Sequence, residues 1–295
     1  MTYFIVVDKP KSWTSHRVVH NIKKNLNQKV GHTGTLDPFA TGVLPIAVGR
    51  ATKLIPYLDE RQKIYRATLE LGTKTDTADI DGQIVEEQSV PKFTIEKITS
   101  IFEDMLGVQE QEVPKYSAVK VDGKRLYKYA REGQTVVLPK KEITIERMKL
   151  LACETTSIDF EVHCSKGTYV RALGEEIAKK IGTVGHLSQL ERISSGLFHQ
   201  NHAICNFSQL IETSSKEEIF DIIQENIVDI RVLFPFSYLD VEDSWLSKIS
   251  NGQRLPLSML PPLEIGEKLL VMNKNNICAL CQREESSLRY LSVLL

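Results

Sequence analysis

From residue 63 to residue 72 apolar and polar positions alternate. Tyr65, Ala67, Leu69 and Leu71 fall on one side, and Arg66, Thr68 and Glu70 on the other. A period of two is the mark of a half-buried β-strand. Residues 3–7 form a solid apolar run and read as a short buried strand; residues 143–151 and 158–164 read as two more. Elsewhere the period is helical. Val18, Val19, Ile22 and Leu26 share one side behind Ser15 as an N-cap, with Lys23 and Lys24 opposite. Residues 93–106 place Ile95, Ile98, Phe102 and Met105 inward, with Gly107 as the C-cap, and residues 51–58 read as a short helix. Leu173, Ile177 and Ile181 lie along a helix opened by residues 165–171 and ended by Gly182. An acidic helical region follows, its apolar side formed by Ile219, Phe220, Ile222, Ile223 and Ile227.

Phe234-Pro235-Phe236 interrupts this helical stretch, so a domain boundary is expected at 231–238, dividing the chain into 1–232 and 233–295. The second part holds Asn251-Gly252 and Pro261-Pro262 turns and strand candidates at 268–272, 277–281 and 289–294. It reads as a small β-rich module that folds when packed on a partner domain.

Composition narrows the class. The 295 residues are 42% hydrophobic and 25% charged, ordinary for a globular protein with a real core. No run approaches the roughly 18 apolar residues that span a bilayer, and the opening apolar run is too short for a signal peptide. Five cysteines do not suggest a disulfide framework. A cytoplasmic protein is expected. The net charge of -1 hides an asymmetry: residues 1–66 carry eleven Lys and Arg against four Asp and Glu, and residues 212–243 reverse the balance. A basic first quarter suits a phosphate backbone, although solvated surface charge gives the same count.

One stretch resists both periods. Residues 31–45, GHTGTLDPFATGVLP, combine three glycines and two prolines with a single histidine, His32, and a single carboxylate, Asp37. Such a string is expected to form a rigid loop presenting Asp37 in a fixed direction, since Pro38 restricts the residue before it. By spacing alone it equally fits a turn-rich connector whose Asp bonds its own backbone. Asp76, Asp79 and Asp81 before Gly82 resemble a calcium loop without its closing glutamate. Residues 114–133 interleave aromatic and basic residues, fitting either an RNA clamp or an ordinary hairpin with a solvated face. Cys278 and Cys281 are three apart in a strand, hence expected on opposite faces, and His199, His202 and Cys205 form a loose group. Neither reads as a metal site, and there is no phosphate loop or dinucleotide fingerprint.

The 31–45 string resembles the signature loop of the TruB family of tRNA pseudouridine synthases. Asp8-Lys9-Pro10, Lys63-Ile-Tyr-Arg66, residues 72–82, residues 114–133 and Lys166–Arg171 are similar to its other motifs, in the same order. The resemblance implies an α+β pseudouridine synthase fold: a mixed, mostly antiparallel central sheet flanked by helices, an RNA-clamping insertion at about 112–140, and a small β-rich PUA-like module that binds RNA. It further implies isomerisation of the T-loop uridine at tRNA position 55 by base flipping, with Asp37 as nucleophile and no metal or redox cofactor. Arg171 is the candidate cation keeping Asp37 ionised. By the same resemblance Tyr65 stacks on the base and removes its C5 proton, His32 holds the disrupted loop, and Tyr169 and Leu190 line the uracil pocket. Lys9 supports the site or contacts phosphate. The implied partner is tRNA through its T-stem-loop, with no membrane, no obligate protein partner and a monomeric enzyme. A chain beginning almost at its first strand, without a basic tail, fits a standalone enzyme better than an RNA-guided subunit. An RNA-binding or folding module that does no chemistry is a second alternative, and a metal-dependent hydrolase using the aspartate loop at 76–81 is a third.

Overall fold

The computed structural model describes residues 2–59 and 62–295. Ten strands form one mixed sheet. Its main path runs Ala203–Ile204, Thr2–Lys9, Thr41–Gly49, Gly185–Ser195, Gln62–Leu71, Ser157–Ser165, Lys140–Cys153 and Gly107–Glu112. Most neighbours are antiparallel; Thr2–Lys9 with Ala203–Ile204, and Gly185–Ser195 with Thr41–Gly49, are parallel. The second of these contacts joins the two halves of the sheet through the pairs Glu191↔Thr41 and Arg192↔Gly42. Gly42 is required there. Its φ is +96°, and a Cβ would come within 2.3 Å of the Arg192 carbonyl oxygen.

The helix Ser15–Leu26 buries Val18, Val19 and Ile22 against the sheet. Its cap is Thr14 rather than the expected Ser15: the Thr14 hydroxyl accepts from the Arg17 N–H. Ser15 is instead turned inward, which becomes important at the site. The helix Ile95–Asp104 buries Ile98, Ile101 and Phe102, while Ile95 is exposed and Gly107 opens a strand instead of capping. The expected helix at 51–58 is two 3-10 turns, Arg50–Lys53 and Ile55–Tyr57. Pro56 lacks the N–H that a continuous helix needs at that point. The helix Val170–Ile181 ends on Gly182 in the left-handed conformation, as expected. In the acidic region Lys216–Glu225 is closed by a Ser215–Glu218 capping box and buries Ile219 and Ile223, whereas Ile227 is exposed.

The ends of the 31–45 string are strands after all, Val30–His32 and Thr41–Gly49, leaving residues 33–40 as the loop. Pro45 is tolerated inside its strand because only its carbonyl is used, accepting from the Thr33 N–H at 3.2 Å.

A second sheet, Ser237–Asp240, Lys268–Asn273, Asn276–Arg283 and Leu288–Val293, completes the fold. Its first strand escaped the sequence pattern, being short and mostly exposed. Leu270, Met272, Ile277 and Leu280 share a core with Phe4, Val6, Val43 and Phe198 of the large sheet. Cys278 and Cys281 are both buried in the core on the other side of the small sheet, not on opposite faces. A bulge between Leu280 and Cys281 resets the alternation. Burial pushes their thiols up to about 11 and about 12. Among the described residues no three His, Cys, Asp or Glu side chains are grouped to hold a metal, and no helix is long and apolar enough to cross a membrane.

Candidate active site

The loop 33–40 is held at nearly every second residue by side chains from distant segments. The Ser15 hydroxyl accepts from the Leu36 N–H at 2.9 Å and lies 3.2 Å from the Leu36 carbonyl, to which it donates. Lys9 Nζ donates to the carbonyls of Trp13 (2.6 Å), Pro10 (2.9 Å) and Pro38 (3.1 Å). The Ser12 N–H also donates to Pro38 O. Arg192 donates from Nε to Val43 O at 2.7 Å and from Nη2 to Gly34 O at 3.0 Å. A chain rich in Gly and Pro saturates few of its own backbone groups, so buried donors and acceptors elsewhere must do so. The outcome is a loop of defined shape with Asp37 at its apex.

Asp37 meets Arg171 in a bidentate pair, Nε to Oδ2 at 2.8 Å and Nη2 to Oδ1 at 3.2 Å. Arg171 is buried and Asp37 keeps 32% of its side-chain surface, so the carboxylate faces the opening while its counter-ion lies beneath. The rest of the guanidinium fork is also used. Nη1 donates to Thr77 O (2.6 Å) and lies 3.6 Å from Asp79 Oδ2, and Nη2 donates to Tyr116 O (3.0 Å). One arginine therefore ties together the Asp37 loop, the acidic turn and the start of the 112–140 insertion. Planar, permanently charged guanidinium suits this better than a lysine ammonium.

The acidic turn resembles a calcium loop in composition only. Asp79 accepts from Thr77 Oγ1 (2.6 Å) and the Asp81 N–H (3.1 Å) besides facing Arg171. Burial pushes its carboxyl up, opposed by the Thr77 hydroxyl and then by Arg171. Asp76 accepts from the Gln83 N–H and from the Tyr116 hydroxyl.

Asp37, Tyr65, Tyr169 and Leu190 line one cavity of about 400 Å³, together with Gly34, Lys63 and Ser117. Burial raises the phenols of both tyrosines. Tyr169 is fixed by Gln111, whose side chain accepts from its N–H (2.7 Å) and donates to its carbonyl (3.1 Å). His32 does not line the cavity; it ends the strand entering the loop, and burial, then Arg192, His16 and Lys63, lower its imidazole. Lys9 lies behind Pro38, wholly buried, with burial lowering its ammonium to about 8 despite the pull of Asp37. Of its two expected roles the geometry fits support, because a buried ammonium bonded to three carbonyls does not reach a phosphate. Larger cavities, about 600 and 790 Å³, lie along the 133–138 and 179–185 segments. Size does not mark the site; convergence of ionised groups does.

Arg192 and Gln111 were not singled out in the sequence, and Ser15 and Asp79 only as a helix cap and as part of a calcium-like turn. Arg192 left one signal: it shares the inward phase of its strand with Leu190, a place where an arginine is out of pattern.

The fold is that of the pseudouridine synthases. A solved structure described as "Crystal Structure of a Cbf5-Nop10-Gar1 Complex" matches it with a TM-score of 0.69 at 23% identity, over 99% of this chain and 85% of that one. Residues 22–170 match the model of the TruB family pseudouridylate synthase N-terminal domain. A tRNA pseudouridine synthase B of Psychrobacter cryohalolentis is 47% identical over 257 residues, 85% of this chain and 70% of the relative. That of Bacillus cytotoxicus is 40% identical over 285 residues, 93% and 90% of the two chains. The chain belongs to the TruB family of pseudouridylate synthases.

Proposed function

We propose that this protein is a tRNA pseudouridine synthase that isomerises the T-loop uridine at position 55, with Asp37 as the nucleophile. The observation that carries the reading is the Asp37–Arg171 pair at the floor of the cavity shared by Tyr65, Tyr169 and Leu190. Isomerisation breaks the bond from N1 to the sugar, turns the base and joins C5 to C1′. It needs a nucleophile that stays ionised away from bulk water and walls that hold a detached uracil. Arg171 serves the first condition by pairing with the Asp37 carboxylate through both of its oxygens. Leu190 and the two tyrosine rings supply the second. The target base is stacked within a folded loop, so it is flipped out, at a cost on the order of a few kcal/mol.

In this reading Tyr65 stacks on the base and takes the C5 proton, and His32, uncharged at neutral pH, helps hold the opened T-loop. The 1–232 part is catalytic, the 112–140 insertion clamps RNA, and 233–295 is a PUA-like RNA-binding module. The enzyme acts in the cytoplasm as a monomer without an obligate protein partner, metal or redox cofactor.

The test is tritium release from C5-labelled uridine in an unmodified tRNA transcript, with purified protein, chelator and no additions. Release that maps to the T-loop is expected. Tight tRNA binding without release points instead to an RNA-guided subunit lacking its partner, or to an RNA-binding protein that does no chemistry.

A further inference from the structure

The sheet presents a second buried arginine to the same loop, and neither the ion pair nor the cavity walls account for all of it. Arg192 is fully buried on the strand Gly185–Ser195, directly across from Tyr65 in the strand register. Two of its nitrogens bridge the entry and exit of the loop through Gly34 O and Val43 O. The third, Nη1, is buried without a hydrogen-bond partner. It points toward the inner side of Gly34, where a Cβ would sit 3.5 Å from it and 2.7 Å from Lys63 Nζ. Among the described residues no carboxylate pairs with this guanidinium, whose hydrogen bonds go to backbone carbonyls. A buried, unbalanced positive charge is costly to keep, and it favours negative charge forming next to it. The group across the strand pair able to develop such charge is the Tyr65 phenol: burial drives it up, and Arg192 is the first influence opposing that rise.

We infer that Arg192 is a positioning residue for proton removal, its free Nη1 held to stabilise the Tyr65 phenolate that takes the C5 proton. The inference rests on the role proposed for Tyr65. Once C5 is joined to C1′, the C5–H bond breaks and its electron pair forms the C5–C6 double bond. The C6–N1 π pair moves to N1, which takes a proton from water, and the phenolate becomes the phenol. Solvent restores the phenolate for the next turnover, with Arg192 offsetting the cost of its charge.

Arg192→Lys keeps the charge but not the fork; Arg192→Gln keeps a donor but not the charge. Both are compared with wild type in single-turnover assays on tRNA carrying uridine or C5-deuterated uridine, alongside tRNA affinity. A loss of roughly 10- to 100-fold in rate is expected, larger for Gln than for Lys, with a deuterium isotope effect above the wild-type value and little change in Kd. A slowed variant with the wild-type isotope effect overturns the inference, because a residue that only shapes the loop slows all steps alike. Either variant suffices if the other does not fold. Tyr65→Phe separates the two readings. Wild-type rate and isotope effect in Tyr65→Phe remove the role of Tyr65 itself. A slow or inactive Tyr65→Phe beside unchanged isotope effects in both Arg192 variants removes only that of Arg192.

Discussion

Two arginines hold the Asp37 loop, and they hold it differently. Arg171, at the start of a helix, grips the carboxylate itself and is balanced by Asp37 and Asp79. Arg192, in the middle of the sheet, grips only backbone carbonyls and has no carboxylate partner among the described residues. Both are almost completely buried. The first therefore fixes the orientation of the Asp37 carboxylate, and the second sets the shape of the loop around it. Carboxylate orientation and loop geometry are thus divided between two arginines, one paired with carboxylates and one with backbone carbonyls.

Substitutions sharpen this division, beginning with the largest effect. Arg171→Ala strands Asp37 and Asp79 beside each other without a counter-ion. It is expected to lower stability by about 3 kcal/mol, the low end for a buried pair because Asp37 is partly solvated. Activity should be lost with it, and urea denaturation with tritium release reads both. If Arg171→Ala is as stable as wild type, the guanidinium is not the tie between the three segments.

Lys9 gives the next effect, and its sign is fixed by its lowered ammonium. Its value of about 8 in the folded protein lies below the ordinary lysine value, so the unfolded chain binds more protons between about pH 8 and 10.4. The charged form therefore costs stability below this window, and that cost is relieved as pH rises through it. Relative to Lys9→Met, wild type should gain about 2 kcal/mol from pH 8 to pH 10. A difference between the two proteins that stays flat over that range would show the ammonium is not desolvated.

The smallest effect belongs to the clip between helix and loop. Ser15→Ala leaves the Leu36 N–H unsatisfied and should cost roughly 1 to 2 kcal/mol, with only a modest fall in activity. A thermal melt indistinguishable from wild type would mean that the loop keeps its shape without Ser15.

The sequence made the alternating strands, the helix ending at Gly182 and the Asp37–Arg171 pairing legible, the last through family resemblance. Each rests on a local period or a literal motif. What it hid was non-local. Thr14 and Ser15 are equally good caps on paper, and only the position of Leu36 decides that Ser15 turns inward. Ile95 and Ile101 compete for one helix face, and the sheet selects Ile101. The strand Thr41–Gly49 contains a proline and a positive-φ glycine, both unfavourable locally, and its neighbours on either side override them. Gln111 and Asp79 serve the site through partners 58 and 92 residues away, a relation no spacing rule reaches.

Asp37 is expected to do chemistry rather than binding, and both can be measured on one protein. Asp37→Asn preserves size and a hydrogen-bonding side chain, so its tRNA Kd should stay within a few-fold of wild type. Pseudouridine formation at the T-loop should fall on the order of 10⁴-fold or more. Substantial product from Asp37→Asn, or affinity falling in step with activity, would contradict the account.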